Sequence, residues 1–227
     1  MSRSRRRQGT LSLILIAMIL AVDQCIKIAV KTHMCLGESI EVTPWFLISF
    51  IENNGMAYGM TLFNKLALSL FRIILIVFLA WYVARNVGKR HSTAFIVCLS
   101  MVIAGAAGNM IDSMLYGLVF EQSTPFAPSA FVPVGDGYAP FLYGKVVDMF
   151  YFPIITTTWP DWMPFVGGDD FIFFAPVFNF ADACITVGAL LIILFHRHEL
   201  EKMGKGMSLG RKKEKNDATK RAKGATR

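Results

Sequence analysis

Apolar residues in this chain come in four long blocks, at about residues 10–30, 66–84, 92–118 and 175–195. Each is long enough to cross a bilayer as a helix. In hydrocarbon every backbone N–H and C=O must be satisfied within the protein, so such blocks have few structures open to them. Unbroken apolar runs without strand alternation are read as helices. Apolar residues make up 54% of the chain and charged residues only 17%, against about 25% charged in soluble domains. Lipid is therefore the expected apolar environment. The first block has a short pure core, 11–22, like that of a signal peptide. No A-x-A-like cleavage site follows it, and three more blocks do, so it is read as a retained helix.

Charge sets the expected orientation. Arg3, Arg5, Arg6 and Arg7 precede the first block, Arg85, Lys89 and Arg90 follow the second, and the tail is rich in Lys and Arg. Residues 32–63 hold Glu38, Glu41 and Glu52 without a Lys or Arg, and the 119–170 loop holds Lys145 against six acids. Basic segments stay cytoplasmic, so both termini are expected inside and both acidic loops outside. The expected fold is an all-α membrane protein with four transmembrane helices. It carries a small extracytoplasmic β-element after helix 1, because residues 40–50 mix β-branched and aromatic side chains, and a long extracytoplasmic loop between helices 3 and 4. Asn53-Asn54-Gly55 reads as a tight turn. Residues 1–206 are expected to form a single integral membrane domain, and 207–227 a basic, disordered cytoplasmic tail. The basic ends are flanks of membrane spans, so no nucleic-acid partner is expected. Cys25, Cys35, Cys98 and Cys184 have no CxxC spacing, so no disulfide framework or metal site is indicated.

The orientation gives the polar residues a depth. Asp23 and Lys27 fall late in the first, outward-running span. Asn109 and Asp112 fall late in the third, and Asn179 and Asp182 early in the inward-running fourth. All six are expected in the outer part of the bilayer. Asp23 and Lys27 are spaced i,i+4 and can pair on one helix face. Asn109 with Asp112, and Asn179 with Asp182, are spaced i,i+3, so each presents an amide and a carboxylate from one face. Such groups serve as polar glue between helices in a purely structural reading. Asp182 has no Lys or Arg within ten residues, and an isolated intramembrane carboxylate is a functional-site hypothesis. Asp148 comes from the long loop in Gly144-Lys145-Val146-Val147-Asp148-Met149-Phe150, whose apolar flanks return it to the membrane surface.

Two carboxylates at one partly desolvated site share a proton near neutral pH. One then takes a proton from water while the other donates to a carbonyl oxygen, the chemistry of aspartic proteases. The four His are His33, His91, His196 and His198, of which the last three are cytoplasmic, so no outside Ser-His-Asp set can be assembled. The alternative is a small proton- or ion-coupled membrane transporter. That reading calls for acids near the midplane and related halves, and no internal repeat is visible.

Five motifs, in order, resemble those of the bacterial lipoprotein signal peptidase (signal peptidase II) family. They are Asp23-Gln24-x-x-Lys27, Asn53-Asn54-Gly55-Met56-Ala57-Tyr58, Gly105-Ala106-Ala107-Gly108-Asn109-Met110-Ile111-Asp112, Gly144-Lys145-Val146-Val147-Asp148 and Phe178-Asn179-Phe180-Ala181-Asp182. The resemblance implies an aspartic endopeptidase with Asp148 and Asp182 as catalytic pair. Asn53, Gly55, Asn109, Asp112, Asn179 and Ala181 would bind substrate or orient the site, and Asp23 and Lys27 would form a structural polar pair. It implies no cofactor and no metal. The substrates would be diacylglyceryl-modified prolipoproteins, cut just before the lipidated cysteine. Membrane lipid and globomycin-type inhibitors would be the other partners of a monomer. Its place would be the bacterial cytoplasmic (inner) membrane, as a multi-pass protein with the active site near the extracytoplasmic face. Two departures stand out. Ser113 occupies a position where the family usually has Arg, which leaves open how Asp112 is compensated, and residues 124–140 and 159–170 look like insertions.

Overall fold

The computed structural model describes residues 3–54, 65–87 and 91–203. Gly55 and the 207–227 tail lie outside the described residues. The first helix, α1, spans Arg3–His33. At 1.5 Å per residue it reaches roughly 46 Å, so it overruns the expected 10–30 block at both ends. The second, α2, is Lys65–Asn86. The third, α3, is Thr93–Ile111, and the Ser92 hydroxyl caps it by accepting from the Phe95 N–H. It runs on through a π-helical turn, Asp112–Tyr116, into the short α4, Gly117–Val119. The last helix, α5, is Phe180–Phe195, bent by 93° from a following helical segment, Arg197–Met203. Among the described residues three helices are long and apolar enough to cross a membrane, or four if that bent pair counts as one span.

The strands exceed what the sequence suggests. Strands β1 (Ser39–Thr43) and β2 (Phe46–Asn53) supply the expected element after α1. They are half of a four-stranded antiparallel sheet of order β1-β2-β3-β6, completed by β3 (Val146–Tyr151) and β6 (Val177–Phe178). A separate hairpin pairs β4 (Ile155–Thr158) with β5 (Asp170–Phe173), and residues 159–169 form its tip. An all-α description is thus corrected to a helical bundle with a substantial sheet. The reason is local: Val146 and Val147 are β-branched, Met149 is apolar, and all of Val146–Met149 is buried on both faces, which is how a central strand reads.

α3 is the axis of the molecule and packs on α5, α1 and α2. Its small residues permit close approach. A Cβ on Gly105 would collide with the Ala181 carbonyl, and one on Gly108 would lie 2.6 Å from Asp23 Oδ2. Gly108→Ala is expected to cost roughly 1–3 kcal/mol, as overpacking does. A fall in the melting temperature of the purified protein in detergent measures it.

The apolar core sits in two main clusters. One, around Phe95, Ile96, Leu99 and Ile103, holds α2, α3 and α5 together. The other, around Phe50, Phe120, Val147 and Met149, joins the sheet to α1 and the end of the α3 span.

Candidate active site

The sheet and the helices meet at Asn179. The sequence pattern reads Asn179 and Asp182 as one face of a helix begun by residue 175, but the helix starts at Phe180 and Asn179 is its N-cap. Asn is favoured there because its side-chain oxygen satisfies an orphan N–H. Asn179 Oδ1 accepts from the Asp182 N–H at 2.9 Å, and the Asn179 N–H donates to Asp182 Oδ2 at 3.4 Å, closing a capping box. Asp182 is thereby fixed by the first turn of α5. Pro176 directly precedes β6.

Asp148 reaches the same point from β3. The register pairs Ile51 with Asp148 and Asn53 with Val146, and β6 flanks β3 through Phe150 and Phe178. Asn179 Nδ2 donates to Asp148 Oδ1 at 2.7 Å, and Asn53 Nδ2 donates to Asp148 Oδ2 at 3.1 Å. Asn109 Nδ2 donates to Asp182 Oδ1 at 2.7 Å. Asn179 is therefore bonded to both carboxylates, and each carboxylate takes a second amide from another element. Asp148 is 3% exposed. Burial, and then the charge of Asp182, push its carboxyl up to about 7 against the pull of the two amides.

Beneath this pair lies a buried ion cluster. Lys27 Nζ contacts Asp23 Oδ2 at 3.0 Å, Asp112 Oδ2 at 2.8 Å and Asn109 Oδ1 at 2.8 Å. Asp112 also accepts from Gln24 Nε2 at 2.9 Å and from the Val147 N–H at 3.4 Å. Its compensation, left open by Ser113, comes from Lys27 on another helix. Ser113 Oγ donates to the Asn109 carbonyl at 3.2 Å. Asp23 Oδ1 accepts from the N–H of Ala181, a fully buried residue that packs at Gly105 and Gly108.

Two sets of residues have no role assigned by the sequence. Gln24 links Asp112, the Gly108 carbonyl and the Tyr116 hydroxyl; a polar residue beside Asp23 in an apolar run was the available signal. The other set is a clamp on the far face of the strand pair. Glu52 contacts Lys31 at 2.6 Å and Lys145 at 3.0 Å, and accepts from Ser123 Oγ at 2.7 Å. Burial alone would raise the Glu52 carboxyl, but Lys31 and its other donors hold it below the usual range. The Lys31 ammonium lies 5.2 Å from the Tyr138 ring and 5.3 Å from that of Phe120. Residues 124–140 are thus tied down: Ser129 N–H donates to the Lys31 carbonyl at 3.1 Å and Leu36 N–H to the Thr124 carbonyl at 2.9 Å. The 159–170 stretch does not reach this site; it is the hairpin tip, with Trp162 and Phe165 exposed.

Chemically, the arrangement offers a high-pKa carboxyl beside a second carboxylate, both oriented by amides. The chain matches the family described as signal peptidase (SPase) II over residues 15–197. A lipoprotein signal peptidase of Porphyromonas gingivalis is 52% identical over 192 residues, covering 84% of both chains. One from Staphylococcus haemolyticus is 32% identical over 187 residues, covering 82% of this chain and 89% of the relative. Among solved structures, a bacterial membrane enzyme determined at 2.3 Å superposes with a TM-score of 0.58 at 26% identity, covering 86% of this chain and 91% of that one.

Proposed function

The chain belongs to the signal peptidase II family of peptidases, and from that premise we propose that it removes signal peptides from prolipoproteins by a two-aspartate mechanism. The observation that supports this best is the joint hold of Asn179 on Asp148 and Asp182. In this reading the pair holds a water between its carboxyls and shares one proton. One carboxyl accepts a proton from the water as it attacks the scissile carbonyl, and the other gives its proton to the substrate. No covalent enzyme intermediate forms. The substrate is a diacylglyceryl-modified precursor, cut just before its lipidated cysteine. The basic segments, which favour the cytoplasmic side, support a site near the outer face of a bacterial cytoplasmic membrane. The signal helix then enters laterally while its lipid chains stay in the bilayer.

The test is release of signal peptide from a diacylglyceryl precursor by the purified protein, blocked by globomycin. Absence of cleavage with a correctly folded protein would falsify the assignment. The same assay checks pH dependence. A carboxyl raised to about 7 keeps its proton below that pH and loses it above. The donor is then lost, so kcat/KM is expected to fall as pH rises through about 7. The limb belongs to the coupled pair rather than to Asp148 alone. A profile flat from pH 6 to 9 contradicts it.

A further inference from the structure

α2 contributes nothing to the two-aspartate site as read from the motifs, yet besides Arg85 in its last turn it carries Lys65 at its start and Arg72 within its membrane-length apolar run. Such residues are costly in lipid and face an interior site by default. Lys65, Ser69 and Arg72 are spaced i, i+4 and i+7, so they form one stripe. Ser69 shows which way the stripe faces. It is 2% exposed, and its Oγ donates to the Leu142 carbonyl at 3.3 Å, on the segment that leads into β3 and Asp148. Arg72, three residues or about five-sixths of a turn further on, is half-buried, and its charge couples to Asp182, Asp148 and Asp112. Lys65 senses Lys145, Arg72 and Glu52 from the other end of the stripe. With Ser69 seated on the Leu142 carbonyl, the Arg72 end of the stripe faces the aspartate pair from α2, whereas the amides come from β2, α3 and the start of α5.

A guanidinium is a permanent cation with donors only. It cannot exchange protons with the aspartates, so the chemistry open to it is to hold an acceptor. An extended peptide at the pair offers backbone carbonyls. We propose that Arg72 is a substrate-binding residue of this site, donating to a backbone carbonyl of the precursor next to the bond that is cut. This rests on the peptidase reading above. Among the described residues, the charged groups nearest the pair are Asp23 and Lys27 of α1 and Asp112 of the π-helical turn, with Glu52 of β2, Lys145 before β3 and Lys65 of α2 further off, and the substitution leaves all of them in place.

The experiment compares steady-state cleavage of a diacylglyceryl precursor by the native protein, Arg72→Gln and Arg72→Lys across pH. Arg72→Gln is expected to lose roughly ten- to a hundredfold in kcat/KM, the size of one charge-assisted hydrogen bond, mainly through a higher KM. Loss of a nearby cation also favours the protonated carboxyl, so the alkaline limb should move to higher pH. Arg72→Lys restores the limb but not the KM, because an ammonium lacks the planar fork. A Gln variant with native KM and native pH limb overturns the proposal, including one that only melts earlier. If the Gln variant does not fold, the Lys variant decides, and a native KM in it also overturns the proposal. If the native protein cleaves no precursor, the peptidase reading fails instead.

Discussion

Asp148→Asn and Asp182→Asn are each expected to leave a folded protein that no longer processes precursor, with rates down by at least about 10³–10⁴-fold, the range for loss of a positioned general acid or base. Asn keeps the shape and one acceptor oxygen, so Asn179 retains a partner at both sites. What disappears is the exchangeable proton. The two variants should differ in stability. The folded-state carboxyl of Asp148 is raised to about 7 from an ordinary value of 3.8. A raised carboxyl contributes stability that is fully present below the unfolded value and is lost as pH climbs through the folded one. The native protein thus carries a buried anion at pH 8 that it does not carry at pH 5, a penalty of up to a few kcal/mol. Asn at that position stays neutral throughout. Asp148→Asn should therefore melt higher than the native protein at pH 8 while being inactive, the trade of stability for function seen at active sites. Signal-peptide release and melting curves at both pH values measure this. Cleavage at a native rate by either variant would end the two-aspartate mechanism, and a lower melting point for Asp148→Asn at pH 8 would end the desolvation argument.

The helices were legible because a bilayer leaves few structures for long apolar runs, and the polar motifs because charges are rare in such runs. The i,i+4 spacing of Asp23 and Lys27 gave a pairing that the structure contains at 3.0 Å. What local spacing could not give was the sheet. Asp148 meets Asn53 only because β3 pairs with β2 across about ninety residues of chain, and register over such a distance leaves no local signature. The same limit hid the Lys27–Asp112 contact, so the missing cation at Ser113 looked like an uncompensated acid. It also hid the contacts that tie residues 124–140, which look like an insertion, to the rest of the fold. Ser123, at their start, shares Glu52 with Lys31, and Tyr138 stacks beside both Lys31 and Lys145. The start of α5 differs from the sequence pattern for another reason. Phe178-Asn179-Phe180 is as apolar as the helix it precedes, and only the Asn at N-cap with Asp at N3 marks the boundary.

Lys27→Met is expected to be the most damaging single change. Lys27, Asp23 and Asp112 have fully buried side chains. Removing one partner of a buried ion pair costs about 3–5 kcal/mol, because a charge is left uncompensated. Here two carboxylates lose the same cation. Against a total stability of about 5–15 kcal/mol, little folded protein should accumulate. Replacing all three charges, as Lys27→Met with Asp23→Asn and Asp112→Asn, should recover much of the stability, since buried ion clusters are often no better than neutral groups of similar size. Activity should not return with it. Asn109 Oδ1 accepts from both Lys27 and Asn179, and that arrangement turns Nδ2 onto Asp182. Asp23 also holds the Ala181 N–H at the start of α5, and Asp112 the N–H of Val147, next to Asp148. The cluster is thus a common footing for both halves of the pair, and a neutral replacement fills its space without aiming the amide. Membrane accumulation, melting and cleavage of the single and triple variants separate the two effects. A single Lys27→Met that melts as the native protein does, or a triple variant with native cleavage rates, would show that the cluster serves packing alone.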